Sequence, residues 1–203
     1  SMELLNSLPQ VNLTYLLIGL FAVFFTLEQI LNRDSLKQKT LHSLHNLAFQ
    51  GVLVLCNIFW ASVVVFTIDW IHRNEIGLFH LLSLPLWLQL ILGVMLYDLS
   101  SYWFHRLGHR VPLLWRFHRV HHSDTAMDAS TSFRSHPLEI LFWFGASDIL
   151  ATAIFGLSDL ALGLYALILI PFFVLQHTSL SFPSWLDRTL GLVITTPNLH
   201  KIH

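Results

Sequence analysis

Histidine is the residue type that this sequence concentrates in a chemically informative pattern. The stretch FHRLGHRVPLLWRFHRVHH contains five histidines within nineteen positions. Residues three and four positions apart share one face of a helix, so His105 and His109 should project together. By the same spacing His118, His121 and His122 form a second set. Each set predicts imidazole rings turned toward a common point.

A third histidine pair lies at the end of the chain. The sequence LHKIH places His200 and His203 three positions apart, which repeats part of the same pattern. Imidazole suits zinc, copper, iron and nickel, and a first-row ion takes about four to six ligands. The clustered histidines are therefore too many for one ion and predict two. Closed structural zinc sites normally use cysteine thiolates, and the chain has a single cysteine, which weighs against a zinc finger.

A membrane-surface role is the simpler alternative for these histidines. Basic side chains that flank a membrane span can anchor it to lipid headgroups. Anchoring does not require histidines at helical spacing, however, because Lys and Arg serve it better. We interpret four isolated histidines as surface or membrane-interface residues without a chemical role. They are His42, His45, His72 and His80.

The composition indicates that the chain positions these histidines with membrane helices. Hydrophobic residues make up 54% and charged residues 11%, against roughly 25% charged in typical soluble domains. The formal net charge of -1 provides no general attraction to nucleic acid, so we predict no nucleic-acid partner. Cys56 lies in an apolar run and has no second cysteine with which to form an internal disulfide.

Apolar stretches predict an all-α, integral-membrane bundle of four to five membrane-embedded helices in one domain covering residues 1–203. Crossing a bilayer needs about 20 apolar residues. In the last stretch Gly156 can end one helix and Ser158 can cap the next, which predicts a helical hairpin. The predicted spans are 11–31, 47–71 and 80–101, followed by the hairpin at 138–176.

The positions of Lys and Arg predict how the spans are oriented. Short cytoplasmic loops carry an excess of these residues. The loop between the first two spans is basic, and so is the region after the third span, which agrees with the alternation of spans. Both histidine-rich regions, 105–122 and 177–203, should therefore face the cytoplasm. The residues concerned are Arg33, Lys37 and Lys39 in the first loop, and Arg106, Arg110, Arg116 and Arg119 after the third span.

Two segments of the sequence resemble a known family of membrane enzymes. They are DLSSYWFHRLGHRVPLLWRFHRVHHSDTAMDASTSFRSHPLE, at 98–139, and the terminal LHKIH. An HxxxH motif followed nine residues later by HxxHH, just after a membrane span, is highly specific. The chain thus resembles the fatty acid hydroxylase and sterol desaturase superfamily of histidine-rich di-iron enzymes.

The resemblance implies two iron ions, for which zinc can substitute in the purified protein. It adds His177, which matches an isolated histidine that the family supplies before its last motif. The final HxxHH of the family has a further histidine beyond His203, so we expect the chain to be truncated at its C-terminus. The metal ligands implied are His105, His109, His118, His121, His122, His177, His200 and His203.

Ligating histidines usually donate their second N–H to a carboxylate or carbonyl, and the sequence offers several supporting residues. Asp98 lies two turns before His105 on one helical face, with Tyr102 between them, although a helix-end charge at the interface is an equal alternative. His136, at a helix start, is either a supporting or a substrate-facing residue. Arg134 either holds its loop to the cluster or binds lipid phosphate. The available acids are Asp98, Asp124, Asp128 and Glu139.

The family likeness implies an O2-dependent oxygenase that hydroxylates or desaturates a lipid, which could be a fatty acyl chain, a sterol, a carotenoid or an ether lipid. Electrons would come from a separate donor such as cytochrome b5 or a ferredoxin. A membrane zinc hydrolase with the same histidines is one alternative, but the sequence has no HExxH motif. A non-enzymatic metal transporter or haem-binding membrane protein is another. Paired histidines on opposing spans at mid-bilayer depth would favour it, but these histidines cluster at one membrane face.

Overall fold

The computed structural model describes residues 13–31 and 36–203, and all regular structure within these ranges is helical. The all-α prediction is thus confirmed for the described part of the chain. Residues 11–12 of the first predicted span and Arg33 lie outside it. The elements are α1 (Leu13–Leu31), α2 (Leu36–Arg73), α3 (Leu78–Leu81), α4 (Leu86–Arg110), α5 (Pro112–His118), 3-10 turns at His121–Ser123 and Ala129–Phe133, α6 (Pro137–Ile140), a π-helical turn (Leu141–Ala146), α7 (Ser147–Phe155), α8 (Asp159–Gln176), α9 (Ser184–Leu190) and α10 (Pro197–Ile202).

Three segments of the described chain are long and apolar enough to cross a membrane by length and composition. They are Thr40–Leu81, Pro137–Phe155 and Asp159–Gln176. The apolar part of α1, Ile18–Glu28, is shorter, and α4, which contains the polar Gln89 and Asp98, is not among the three. The chain is therefore a helical protein with several membrane-compatible segments. How many of them cross the bilayer stays a prediction.

Proline residues explain why α4 differs from the predicted span at 80–101. The helix starts only at Leu86, because Pro85 takes an extended conformation (φ -64°, ψ 148°) and restricts the residue before it. At the other end the helix continues to Arg110. It stops there because Val111 precedes Pro112 and is extended (φ -90°, ψ 117°). The first two histidines of the cluster therefore lie on the last turns of this long helix.

The turn predicted between α7 and α8 is present. Gly156 ends α7 in the left-handed region (φ 75°), and the Ser158 hydroxyl accepts a hydrogen bond from the Ala161 backbone N–H at 3.3 Å. A second glycine packs directly on this turn, since a Cβ atom on Gly77 would lie 2.2 Å from the Gly156 nitrogen. The connection between α2 and α3 thus approaches the hairpin as closely as two backbones allow.

A buried aromatic and acidic cluster joins α4 to α7 and α8. The rings of Tyr97 and Tyr165 meet edge to face with centroids 4.4 Å apart. Tyr97 donates a hydrogen bond to Asp148, and Tyr165 donates one to Asp98 at 3.1 Å. These contacts hold the histidine-bearing helix α4 against α7 and against α8, the helix that leads to His177. The apolar residues buried around them are Phe79, Ala151 and Leu157.

Candidate metal centre

The structure brings together all eight histidines that the sequence singles out as ligands. They form three triplets, and the ligand nitrogens within each triplet lie within 4.8 Å of one another. Two triplets share His109 and together form the outer group. The third is separate and fully buried, and forms the inner group. The outer group is His105, His109, His118, His122 and His203, and the inner group is His121, His177 and His200.

Short elements deliver most of these side chains. Pro112 occupies the first turn of α5, where its missing N–H costs nothing, and α5 ends at His118. A 3-10 turn then presents His121. His177 is the C-cap residue of α8, and His200 lies on α10, whose N-cap Thr196 accepts from a backbone N–H. The inner group thus draws on three regions that are far apart in sequence.

Hydrogen bonds of the inner histidines determine which ring nitrogens are free. His177 Nδ1 donates to the Phe173 carbonyl at 2.5 Å, and His121 Nδ1 donates to the Arg134 carbonyl at 3.0 Å. A neutral imidazole has one N–H, so both Nε2 atoms carry lone pairs. These two Nε2 atoms face each other at 3.0 Å. Two lone pairs at that distance repel each other unless a cation lies beside both.

Burial keeps this group in the form that binds metal. His200 completes it, with its ring centroid 4.4 Å from that of His177 and 5.6 Å from that of His121. Burial, and secondarily the neighbouring His121 and His203, lowers the pKa of His200 to about 3. Burial also lowers the pKa of His121. Neutral imidazole is the metal-binding form, so these residues are ready to bind an ion at neutral pH.

The outer group is organised around His118. Its Nδ1 donates to the buried carboxylate of Glu139 at 2.6 Å. Its Nε2 lies 3.0 Å from Nε2 of His109 and 3.0 Å from Nε2 of His122. Burial, and then the neighbouring His203, lowers the pKa of His118 to about 4. His118 is therefore a neutral, oriented donor between two other imidazoles.

The spacing between nitrogens is short enough for neighbouring rings to bind one ion. Two ligands with metal–nitrogen bonds of about 2.1 Å lie at most about 4.2 Å apart. The Nε2 pairs His109–His118, His118–His122 and His121–His177 are all separated by 3.0 Å. An all-imidazole donor set suits iron and zinc alike. The residues present thus fit the two metal ions that the sequence predicts.

A tryptophan covers one side of the outer group. Trp143, on the π-helical turn, stacks on His118 with ring centroids 4.9 Å apart and meets the edge of His105 at 4.9 Å. Gly108 makes room for it, because a Cβ atom there would lie 2.6 Å from an indole carbon. π-helical turns are frequent at functional sites, and here the turn places an apolar ring against two candidate ligands.

Two of the predicted supporting residues lie elsewhere in the bundle. The Asp98 carboxylate accepts its hydrogen bond from Tyr165. Tyr102 is half exposed, and its hydroxyl accepts from Arg106 at 2.9 Å. Glu139, which the sequence offers only as one acid among four, takes the position beside a histidine instead.

His136 acts on the cluster through Glu139. Its ring Nδ1 accepts a hydrogen bond from the Leu138 backbone N–H at 3.1 Å and so caps α6. Its own backbone N–H donates to Glu139 Oε2 at 3.2 Å, which leaves Oε1 for His118. The structure thus places His136 as a helix cap that helps to orient the acid.

Arg134 and Asp124 hold the loop that follows the second histidine set. The Arg134 guanidinium donates to the Val120 carbonyl at 3.1 Å and to the Ser123 hydroxyl at 2.9 Å. The Asp124 carboxylate accepts a hydrogen bond from the Thr131 hydroxyl at 2.7 Å. Burial alone would raise the pKa of Asp124, but the bond from Thr131, together with Asn46 and His42 of α2, lowers it. Both residues therefore shape the loop that carries His121.

Sequence reasoning missed one buried acid near the centre. Glu28 of α1 is 1% exposed and accepts hydrogen bonds from the backbone N–H groups of Ala129 and Ser179. The available signal was a single carboxylate within an otherwise apolar stretch, because ionisable residues inside membrane helices usually face the bundle interior.

Comparison with known proteins identifies relatives that act on lipids. The profile of the fatty acid hydroxylase family matches residues 90–203, which include every candidate ligand. Alkylglycerol monooxygenase of Homo sapiens is 29% identical over 170 residues, and that of Danio rerio is 32% identical over 134. The ornithine lipid hydroxylase of Rhizobium tropici is 29% identical over 139 residues.

These matches cover most of this chain and a minority of each relative. They take in 75%, 62% and 59% of the chain, and 33%, 27% and 35% of the respective relatives. The chain therefore spans about a third of the length of the curated relatives it matches. No solved structure matches it.

Proposed function

Since the chain belongs to the fatty acid hydroxylase family, we propose that it is a membrane-bound, non-haem di-iron oxygenase that uses O2 to hydroxylate or desaturate a lipid. The outer and inner groups would each hold one iron ion. One observation carries the metal assignment: Nε2 of His121 and Nε2 of His177 face each other at 3.0 Å with both Nδ1 atoms already committed to carbonyls. A metal cation bound to both nitrogens satisfies that arrangement.

When bound, iron supplies the activation of O2 for attack on a C–H bond. In a hydroxylation, the C–H bond of the lipid and one oxygen atom give an alcohol, and the other oxygen atom leaves as water after uptake of two electrons and two protons. The electrons must come from a separate donor protein, for which cytochrome b5 or a ferredoxin is suitable.

The chain's own residues hold and shield this centre. The Phe173 and Arg134 carbonyls and the Glu139 carboxylate each accept an Nδ1–H, and so aim Nε2 of three histidines inward. Trp143 covers the outer group with an apolar ring. The inner group is buried on all sides. Burial thus excludes bulk water from the ligand nitrogens of the inner group, which protects a strong oxidant from side reactions.

An apolar recess lies next to Trp143. Its cavity volume is about 30 Å³, well below the roughly 300 Å³ of a ligand pocket, so a lipid chain would have to widen it. Its only carboxylate is Glu139, and its other walls are aromatic or aliphatic. An alkyl segment in this recess would be separated from His118 by the indole ring of Trp143, which stacks on that histidine. The lining residues are Phe104, Leu114, Phe117, Glu139, Phe142 and Trp143.

Two relatives named for lipids with a polar head match 75% and 59% of this chain, against 36% for a cholesterol 25-hydroxylase-like protein of Caenorhabditis elegans. Alkylglycerols are ether lipids, and ornithine lipids carry fatty acyl chains, so both present a long alkyl chain beside a polar group. We favour an ether or acyl lipid of this kind over a sterol or carotenoid. The protein would be an integral, multi-pass membrane protein with four to five embedded helices and with its histidines at the cytoplasmic face.

Metal analysis and isotope labelling test this function. Protein purified in detergent from iron-supplemented cells should contain about two iron ions per chain, and its absorption spectrum should change when the reduced protein meets O2. With a reductant and a mixture of alkylglycerols and ornithine lipids, one atom of 18O2 should appear in a lipid alcohol. One zinc ion, no response to O2 and a hydrolysed lipid would instead indicate a zinc hydrolase.

A further inference from the structure

Glu28 is a buried carboxylate and the one charged residue of α1. It lies in the last turn of α1 and is 1% exposed. Removing a carboxylate from water is costly unless hydrogen bonds compensate for the loss. The residue therefore needs an explanation in terms of what it binds.

Its two oxygens bind two segments that are far apart in sequence. Oε2 accepts from the Ala129 backbone N–H at 2.9 Å, and Oε1 accepts from the Ser179 backbone N–H. The partners lie 101 and 151 residues further along the chain. One side chain of α1 therefore links three parts of the protein. Hydrogen bonds to an ionised acceptor are about twice as strong as neutral ones, which makes this link a firm one.

Both segments supply the inner group. Ala129 begins the 3-10 turn that leads to Arg134, whose carbonyl accepts from His121 Nδ1. Ser179 lies two residues after His177. The carboxylate is thus linked to His177 by two residues of backbone, and to His121 by the turn to Arg134 and the hydrogen bond that Arg134 accepts.

We propose that Glu28 is a positioning residue for the inner metal ion alone, which it serves by fixing the separation of His121 from His177. The inference rests on the proposed metal centre. Glu139 has the corresponding place in the outer group, where it touches His118 directly. Each group then depends on its own acid, and loss of one acid should affect one ion.

Metal titration of detergent-purified, metal-free protein tests this selectivity, with Co2+ as the probe. Wild type should bind two ions, and His200→Ala identifies the inner one by losing it. In Glu28→Gln the amide N–H2 replaces one acceptor and faces a backbone N–H, so we expect the inner affinity to fall by about 10–100-fold with the outer affinity unchanged. Glu139→Gln should weaken the outer ion instead.

Gly77→Ala is the control for general destabilisation, because a Cβ atom there would lie 2.2 Å from the Gly156 nitrogen in the hairpin turn, away from both ligand segments. It should lower thermal stability and leave both affinities unchanged. If Glu28→Gln does not fold, Glu28→Asp keeps both acceptors with a shorter reach and should still weaken only the inner ion.

Two results would overturn the inference. Unchanged inner affinity in the folded Glu28 variants would remove the link between Glu28 and the site. An equal loss at both sites, like that of a general destabilisation, would reduce Glu28 to a structural contact. Wild-type protein that binds no Co2+ would count against the metal centre itself, and so separates failure of the proposed function from failure of this inference.

Discussion

At the scale of single residues, the second nitrogen of each histidine decides what the first can do. His177 is the clearest case, since its Nδ1–H is bound to the Phe173 carbonyl four residues earlier and its ring is 1% exposed. The local helix geometry thus selects the tautomer that leaves Nε2 open toward His121. A substitution at this position removes a donor that no neighbouring side chain can replace.

We therefore expect His177→Ala to reduce bound metal from two ions to about one per chain. His45→Ala is the control, because His45 is exposed and binds only the Leu41 carbonyl of its own helix. Metal content measured by mass spectrometry on the folded proteins checks this. Two ions retained in His177→Ala would show that His177 is not a ligand.

The sequence predicts the histidine sets but not how they divide between two ions. Helical spacing relates His105 to His109, and the HxxHH motif itself groups His118, His121 and His122. The structure, however, assigns His118 and His122 to the outer group and His121 to the inner one, because the 3-10 turn after α5 points adjacent rings in different directions. Such a division depends on tertiary contacts, as does the role of Glu28.

At the scale of helices, prolines and glycines determine where the elements begin and end. Gly156 and Ser158 were recognisable from sequence because their local chemistry suits a turn. The π-helical turn that carries Trp143 was not, since its residues have no feature that separates them from an ordinary apolar helix. The approach of Gly77 to Gly156 was equally hidden, because it joins positions that are distant in sequence.

Two glycine substitutions should have opposite effects on stability. Gly77 has φ 123° and no room for a Cβ atom, so Gly77→Ala should separate the hairpin turn from α2 and lower the thermal midpoint by several degrees. Gly163 lies within α8 with nothing within 4 Å of the Cβ position, so Gly163→Ala should stabilise the helix by about 0.5–1 kcal/mol. Thermal unfolding in one detergent compares them. A stable Gly77→Ala would contradict the close packing.

At the scale of the whole molecule, the buried imidazoles make stability depend on pH. An unfolded histidine has a pKa of about 6.5, whereas burial lowers the pKa of His118 to about 4 and of His200 to about 3. Below about pH 6.5 the unfolded chain therefore binds protons that the folded chain does not. The linkage favours unfolding more strongly as the pH falls toward the folded pKa values.

For the metal-free protein we thus expect the thermal midpoint to fall steadily between about pH 7 and about pH 4. His200→Ala removes one of the responsible groups and should show a shallower slope. His45→Ala, which alters an exposed histidine, should keep the wild-type slope. A midpoint that is flat over this range would mean that the histidines titrate normally in the folded state.

The longest helix, α2, shows how far apart the histidine cluster and the hairpin turn lie. Near its start, Ser43 of α2 donates to Asp128 in the loop that follows the second histidine set. Near its end, His72 donates to the Leu157 carbonyl in the hairpin turn. The 29 residue steps from Ser43 to His72 span about 44 Å at 1.5 Å per residue, against about 30 Å of hydrocarbon. The histidine cluster and the hairpin turn should therefore lie on opposite sides of the bilayer.

Cysteine labelling tests this arrangement together with the cytoplasmic position of the histidines, which the basic residues around them predict. In a Cys56→Ser background, a thiol at exposed Ala126→Cys should react with a membrane-impermeant maleimide only after the cytoplasmic side is opened. A thiol at exposed Asn74→Cys should react in intact cells. The reverse pattern would invert the topology, and labelling of both positions from one side would mean that α2 does not cross the membrane.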